Sequence, residues 1–390
     1  MKKNKINLAL LWANYGGEVT SVNDLVLGLD KERFNVIFIY LSGYGVKENL
    51  IEEAGYDVFY LSNIRRIKAF RFSILSKLVR ILKEHNIDII HCHAHKPTVY
   101  GTIAAMMAKT PVVLAHVHGL GRSSGFRRKL QNFILFKKIS RIIPVADSVK
   151  EDVLKSNPAV CPEKVITLEN SVDFDRFSNV SITKGEAKSK LAVAPADAFV
   201  YGTIARFGPY KGHSFLISAF EKVKKQVPSA HLILVGHGDL RQDLEKDVEK
   251  TGLFDSIHFL GYRNDIEKIY KAMDALVLPS IGSEGMPRVI LEAMAAGVPC
   301  IGTKVGGTPE VICNKDVGFL VPPGDENALA EAMIKLANTP KQNIKVLIGK
   351  AQERIRSNFG HDVVIKKLEN IYKTELTRYY ESDRRQKSNV

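Results

Sequence analysis

The stretch VLPSIGSEGMPRVILEAMAAGVPCIGTKVGGTPEV, residues 277–311, decides how the rest of the chain is read. It begins at the end of a short apolar run, Ala275–Leu278, and contains a second run, Pro299–Ile301. Between them lie a polar loop and a helix-length segment. Short apolar runs bounded by Gly and Pro read as buried strands. A strand–helix–strand succession needs a parallel sheet with a right-handed crossover. Pro287 suits a first helical turn. That places Glu284 just before the helix and Glu292 inside it. Ligands of open parallel sheets bind beyond the carboxyl ends of the strands. Here those ends are followed by Glu284-Gly285 and by Gly306-Gly307-Thr308-Pro309-Glu310.

The same pattern extends in both directions. Strands are expected at Ile6–Leu11, Val36–Tyr40, Val58–Leu61, Ile87–His91, Val112–Val117 and Arg141–Val145. Helix-length segments include Ser21–Leu29, Phe72–Glu84 and Thr98–Ala108. After Val165–Leu168 a polar stretch without a clear period, 170–185, interrupts the pattern. It then restarts with strands at Phe199–Ile204, His231–Val235 and Ile257–Leu260, and helices at Ser214–Val227 and Leu240–Thr251. The reading is two doubly wound α/β domains, in keeping with 390 residues, too many for one ordinary core. Val363–Tyr380 reads as a long amphipathic helix, and ESDRRQKSNV as a frayed tail.

Composition is that of an ordinary globular chain, 45% hydrophobic and 25% charged. No apolar stretch approaches the roughly 20 residues of a membrane span. The opening MKKNKINLALLWANYGG ends at a glycine pair without a small-residue cleavage site, and reads as a first buried strand. The four cysteines, Cys92, Cys161, Cys300 and Cys313, form no C-x-x-C pair, and reduced cytosolic thiols fit. The unusual bulk property is a net charge of +14, which points to an anionic partner.

Three groups of residues follow strands and offer chemistry. Gly16-Gly17 opens a helix, where backbone can approach a phosphate. Arg206 and Lys211, in ARFGPYKG, can neutralise a leaving diphosphate without metal. Glu284 can accept from sugar hydroxyls, and Glu292 can bind a ribose diol. Gly236-His237-Gly238 lacks the third glycine of a dinucleotide fingerprint, and no G-x-x-x-x-G-K-[ST] loop is present. His91, His93 and His95 alternate on an expected strand, as do His116 and His118. That spacing suits zinc, but without H-E-x-x-H or a carboxylate-rich partner motif the reading is strand-end hydrogen bonding and no metal. Asp173-Phe174-Asp175 mimics D-x-D but falls in the junction and reads as structural.

Taken together, these segments resemble the family 4 retaining glycosyltransferases. Residues 277–311 resemble the family's E-x7-E region, ARFGPYKG its diphosphate clamp, ENSVDFDRF its junction segment, and VHG at Val117–Gly119 its N-domain histidine loop. The resemblance implies a GT-B fold, two facing Rossmann-like domains with an interdomain cleft. The domains would be 1–175 on the acceptor side and 176–362 for the nucleotide-sugar donor, with 363–390 as a helix crossing back plus a basic tail. It implies that Arg206 and Lys211 hold the donor diphosphate, that Glu284 contacts the transferred sugar and that Glu292 contacts the ribose. It further places His118 near the reacting centre, and Gly16, Gly17, Gly236, Gly285, Met286 and Pro287 around the donor. Departures are Glu18-Val19-Thr20 where A-E often follows the glycine pair, Ser171 in place of Gly, and Met286-Pro287 in place of Phe-Gly.

The expected activity is retaining, metal-independent transfer from a nucleoside-diphosphate sugar, UDP favoured. The acceptor would be a saccharide or lipid-linked saccharide, in bacterial surface polysaccharide or lipopolysaccharide assembly. The nucleotide sugar is then a substrate and no cofactor is needed. The alternatives are a GT-B epimerase or phosphorylase and, remotely, a nucleic-acid-binding protein; no nucleic-acid module or aromatic platform is evident. IRRIKAFR (64–71) and GRSSGFRRKLQNFILFKK (121–138) mix cations with apolar residues, as a surface lying on anionic lipid does. The expected location is cytoplasmic, peripheral on the inner face of the membrane.

Overall fold

Alternation of side chains across β1, Ile6–Asn14, builds the first core. Leu8 and Leu10 join the layer containing Val364, Leu368 and Tyr372. Ala9 and Leu11 join the opposite layer, with Leu78 and Tyr100. A strand buried on both faces belongs to a parallel sheet with helices on each side. The computed structural model describes residues 5–15, 25–121, 125–192, 194–195, 197–282 and 284–388, with only the backbone of 126, 127 and 386. Two compact units result: Met1–Glu169 with Asp362–Val390, and Asn170–His361.

The first unit contains β1, β2 (Phe34–Ser42), β3 (Asp57–Tyr60), β4 (Ile89–His93), β5 (Val112–Val117) and β6 (Arg141–Pro144). Its sheet order is β3-β2-β1-β4-β5-β6, and every pair is parallel. The second unit contains β7 (Phe199–Ile204), β8 (Ala230–Val235), β9 (Ile257–Gly261), β10 (Ala275–Leu278), β11 (Cys300–Thr303) and β12 (Phe319–Val321). Its order, β12-β11-β10-β7-β8-β9, is the same winding read from the other edge. Both sheets therefore have a topological switch point, between β1 and β4 and between β7 and β10, where doubly wound folds bind ligands.

Several expectations shift. β4 lies at 89–93 rather than 87–91, because pairing with β5 carries it to the His93–His116 register pair. His95 leaves the strand: Ala94 has φ 71°, and the helix His95–Ala108 begins directly after it. The terminal helix spans His361–Ser388, so 381–388, expected to fray, is helical. The stretch around 170–185 is not a bare linker. It holds the helix Phe174–Ser178 and the start of Lys184–Leu191, both within the second unit. Asp173 caps the first of these through the Arg176 amide at 3.0 Å. β12, three residues long, has no counterpart in the sequence reading.

Candidate active site

In the second unit the loops after the strands are locked together by close backbone approach. Gly212 has φ +70°, and a Cβ there would lie 2.0 Å from the Pro279 carbonyl oxygen. Only glycine lets the loop after β7 meet the loop after β10 in this way. Ile281 N–H donates to Tyr210 O at 2.9 Å across the same seam. Gly306 has φ +53°, and its Cβ would fall 2.4 Å from Glu284 O, while Gly307 N–H donates to Gly285 O at 2.6 Å. Gly236 closes on Ala205 O, where a Cβ would sit at 2.1 Å.

This frame brings Lys211 and Glu284 together. Lys211 Nζ lies 2.6 Å from Glu284 Oε1. Ser280 Oγ donates to the same oxygen at 2.5 Å. Glu284 is 6% exposed, and a carboxylate so buried needs such partners. Lys211 and Gly212 immediately precede the helix His213–Gln226, and Gly285, Met286 and Pro287 lead into the helix Arg288–Ala295. Each helix start presents amide donors and a positive dipole end, a setting that favours phosphate. Met286 is buried, and its carbonyl accepts from Asn170 Nδ2 at 2.8 Å.

Arg206 stands apart: its exposed guanidinium is 3.4 Å from Asp239. Glu292, one turn into its helix, accepts from the Tyr270 hydroxyl at 2.9 Å and lies 3.5 Å from Arg288. Burial first, and the Glu292 carboxylate second, raise the Tyr270 pKa and keep that hydroxyl a donor. Sequence reasoning did not single out Tyr270 or His213, and it gave Ser280 no role beyond following a strand. Ser280 had a usable signal, four residues before Glu284 and directly after a strand; Tyr270 had none.

In the first unit His118 follows β5. Its Nε2 is 3.2 Å from His93 Nδ1. Trp12 stacks on His93 with centroids 4.0 Å apart and on His118 at 5.6 Å. His91, His93 and His116 are fully enclosed. Burial, followed by neighbouring imidazoles, pushes His91 down to about 3 and lowers His93 and His116 well below the ordinary value, so all three are neutral near pH 7. Gly16 and Gly17 lie outside the described residues.

Residues 186–358 match the family described as glycosyl transferases group 1, and residues 15–176 match Glycosyltransferase Family 4. An Escherichia coli UDP-Gal:alpha-D-GlcNAc-diphosphoundecaprenol alpha-1,3-galactosyltransferase is 30% identical, over 80% of this chain and 81% of its own. A Staphylococcus aureus capsular polysaccharide biosynthesis glycosyltransferase, CapM, is 26% identical, over 77% and 80%. The solved structure of Anabaena HepE in complex with UDP superposes with a TM-score of 0.81 at 22% identity, covering 95% of this chain and 100% of that one. The two Rossmann-ordered units are thus those of the GT-B fold.

Proposed function

We propose a donor and an acceptor for this chain, which belongs to glycosyltransferase family 4 and is a glycosyltransferase of the GT-B type. The donor is a nucleoside-diphosphate sugar, UDP favoured, held by the second unit. The observation that carries this reading is the Lys211–Glu284 pair, at the switch point and beside two helix starts. An incoming diphosphate competes with Glu284 for Lys211 and draws Arg206 from its weak contact with Asp239. Glu284, still held by Ser280, turns its freed acceptor capacity to a sugar hydroxyl. Glu292 keeps the Tyr270 bond and accepts from the ribose diol with its other oxygen. Gly236, Gly285, Met286 and Pro287 give the donor a backbone wall.

As the glycosidic bond breaks, Lys211, Arg206 and the helix amides stabilise the leaving diphosphate, so the transfer chemistry needs no metal. The transfer is retaining, with His118 near the reacting sugar and Gly16-Gly17 near the phosphates; these three assignments and the stereochemistry rest on family resemblance. The acceptor is a saccharide or lipid-linked saccharide of bacterial surface polysaccharide assembly. The E. coli relative's diphosphoundecaprenol-linked substrate supports this. The location is cytoplasmic and membrane-peripheral, and its peripheral character is supported by the helix Phe126–Leu135. It exposes Leu130, Phe133 and Ile134 beside Lys129 and Lys137. No helix of the described residues is long and apolar enough to cross a membrane.

The test is ligand-observed NMR and nucleotide release with UDP-, GDP- and ADP-sugars, with and without lipid-linked acceptors. One donor binds selectively, release depends on acceptor, and Lys211→Ala lowers turnover by about 10²–10³. Turnover unchanged in Lys211→Ala sinks the clamp. Donor conversion without acceptor makes the protein an epimerase instead.

A further inference from the structure

The geometry points to a divalent-metal site in the interior of the first unit, formed by His91, His93 and His116 across β4 and β5. His93 and His116 are direct register partners on adjacent parallel strands, and His91 precedes His93 by two residues on the same face. One ring nitrogen from each lies within 4.8 Å of one from each of the others. His91 Nε2 and His116 Nδ1 are already 3.2 Å apart. Metal–imidazole bonds of about 2.0–2.1 Å place neighbouring nitrogens of a tetrahedral ion roughly 3.4 Å apart. Small rotations of the three rings therefore suffice.

Two further observations favour a metal over a stack of ordinary core histidines. His93 Nε2, the nitrogen of that ring left for the ion, is buried and has no hydrogen-bond partner among the described residues. That imidazole nitrogen thus loses water without recovering a bond. The outer nitrogens of His91 and His93, by contrast, are engaged: His91 Nδ1 lies 2.9 Å from the Tyr372 hydroxyl, and His93 Nδ1 lies 3.2 Å from His118 Nε2. Such outer contacts fix the tautomer and ring plane of metal-binding histidines.

An all-imidazole set selects a borderline ion such as Zn(II) and leaves a fourth position for hydroxide or another anion, which offsets half of the ion's charge. All three ligands belong to the first unit. Metal independence of the transfer step and metal binding here are independent statements.

The experiment uses untagged full-length protein stripped with chelator, then titrated with Zn(II) and with Co(II). One equivalent binds, the melting temperature rises, and Co(II) gives the intense visible bands of a four-coordinate ion. His93→Gln and His116→Gln, checked for folding by circular dichroism, each lose at least tenfold in affinity. His231→Gln does not, although His231 also stands 3.1 Å from another histidine, His258, in the second unit. X-ray absorption of the wild-type metal complex shows three imidazole ligands, which decides the matter even if a variant fails to fold. Absence of stoichiometric binding, or equal affinity in a folded His93→Gln variant, overturns the proposal. Donor titration of the same samples reports on the second unit separately.

Discussion

His213 begins the helix after Lys211 and Gly212, is 3% exposed, and meets the Phe207 ring edge-on at 4.9 Å. Burial first, and the Lys211 charge second, push its pKa from 6.5 down to about 4. Between those values the unfolded chain takes up a proton that the folded chain refuses. The unfolded state therefore binds more protons, and stability rises with pH across this window. The contribution is complete above pH 6.5 and is lost as pH falls toward about 4. His213→Phe keeps an apolar ring and removes the titration. Urea titrations across this range should show wild type losing stability relative to the variant as pH falls. Parallel curves would dismiss the effect. Lys211 and Glu284 are legible in the sequence as loop residues after strands. The burial of His213 is not, because it depends on Phe207 and on how the loop folds back.

At the level of elements, the helix His361–Ser388 is tied to the first unit by apolar and ionic contacts. Val364, Leu368, Ile371, Tyr372 and Leu376 enter the core. Glu375 Oε1 accepts from Arg141 Nε at 2.7 Å, and the two residues are 6% and 7% exposed. Arg141 also donates to the Glu163 carbonyl. Removing one partner of a buried pair strands the other charge. Glu375→Ala should therefore cost about 3–5 kcal/mol in denaturant unfolding, with Arg141→Met plus Glu375→Leu recovering most of it. A loss below 1 kcal/mol would mean that water relieves Arg141 in the variant. The apolar spacing of this helix is visible in the sequence, but its docking partner is not. The two-residue slip of β4 has a similar origin. The letters turn polar at His91, yet β5 supplies backbone partners up to His93, and the strand continues.

For the whole chain, the charge of +14 matters through where it is displayed. The helix Phe126–Leu135 places exposed Leu130, Phe133 and Ile134 beside Lys129, and Lys137 Nζ lies over the Phe133 ring at 4.4 Å. Anionic vesicles should float the protein, and rising salt should release it. Each lysine near such a surface contributes about 1 kcal/mol, so Lys129→Glu with Lys137→Glu should weaken binding roughly tenfold or more. Equal binding to neutral vesicles, or indifference to salt, would remove the membrane surface from the proposed function. In the other basic segment, 64–71, Arg65, Arg66, Lys68 and Arg71 are exposed, Ile67 is buried, and the partly exposed Phe70 stacks on Tyr100 at 4.6 Å.

Local pattern alone determined the parallel strand–helix succession, its restart in a second unit, the loops that carry Arg206, Lys211 and Glu284, and the helix that carries Glu292. Those features follow from periodicity and from glycine and proline, which act over a few residues. Tertiary structure decided which of these residues meet. Lys211 and Glu284 are 73 positions apart and touch because β7 lies beside β10. His91 and His116 are 25 apart and touch because β4 lies beside β5. Strand adjacency comes from packing the whole sheet, a property that no short window of sequence contains.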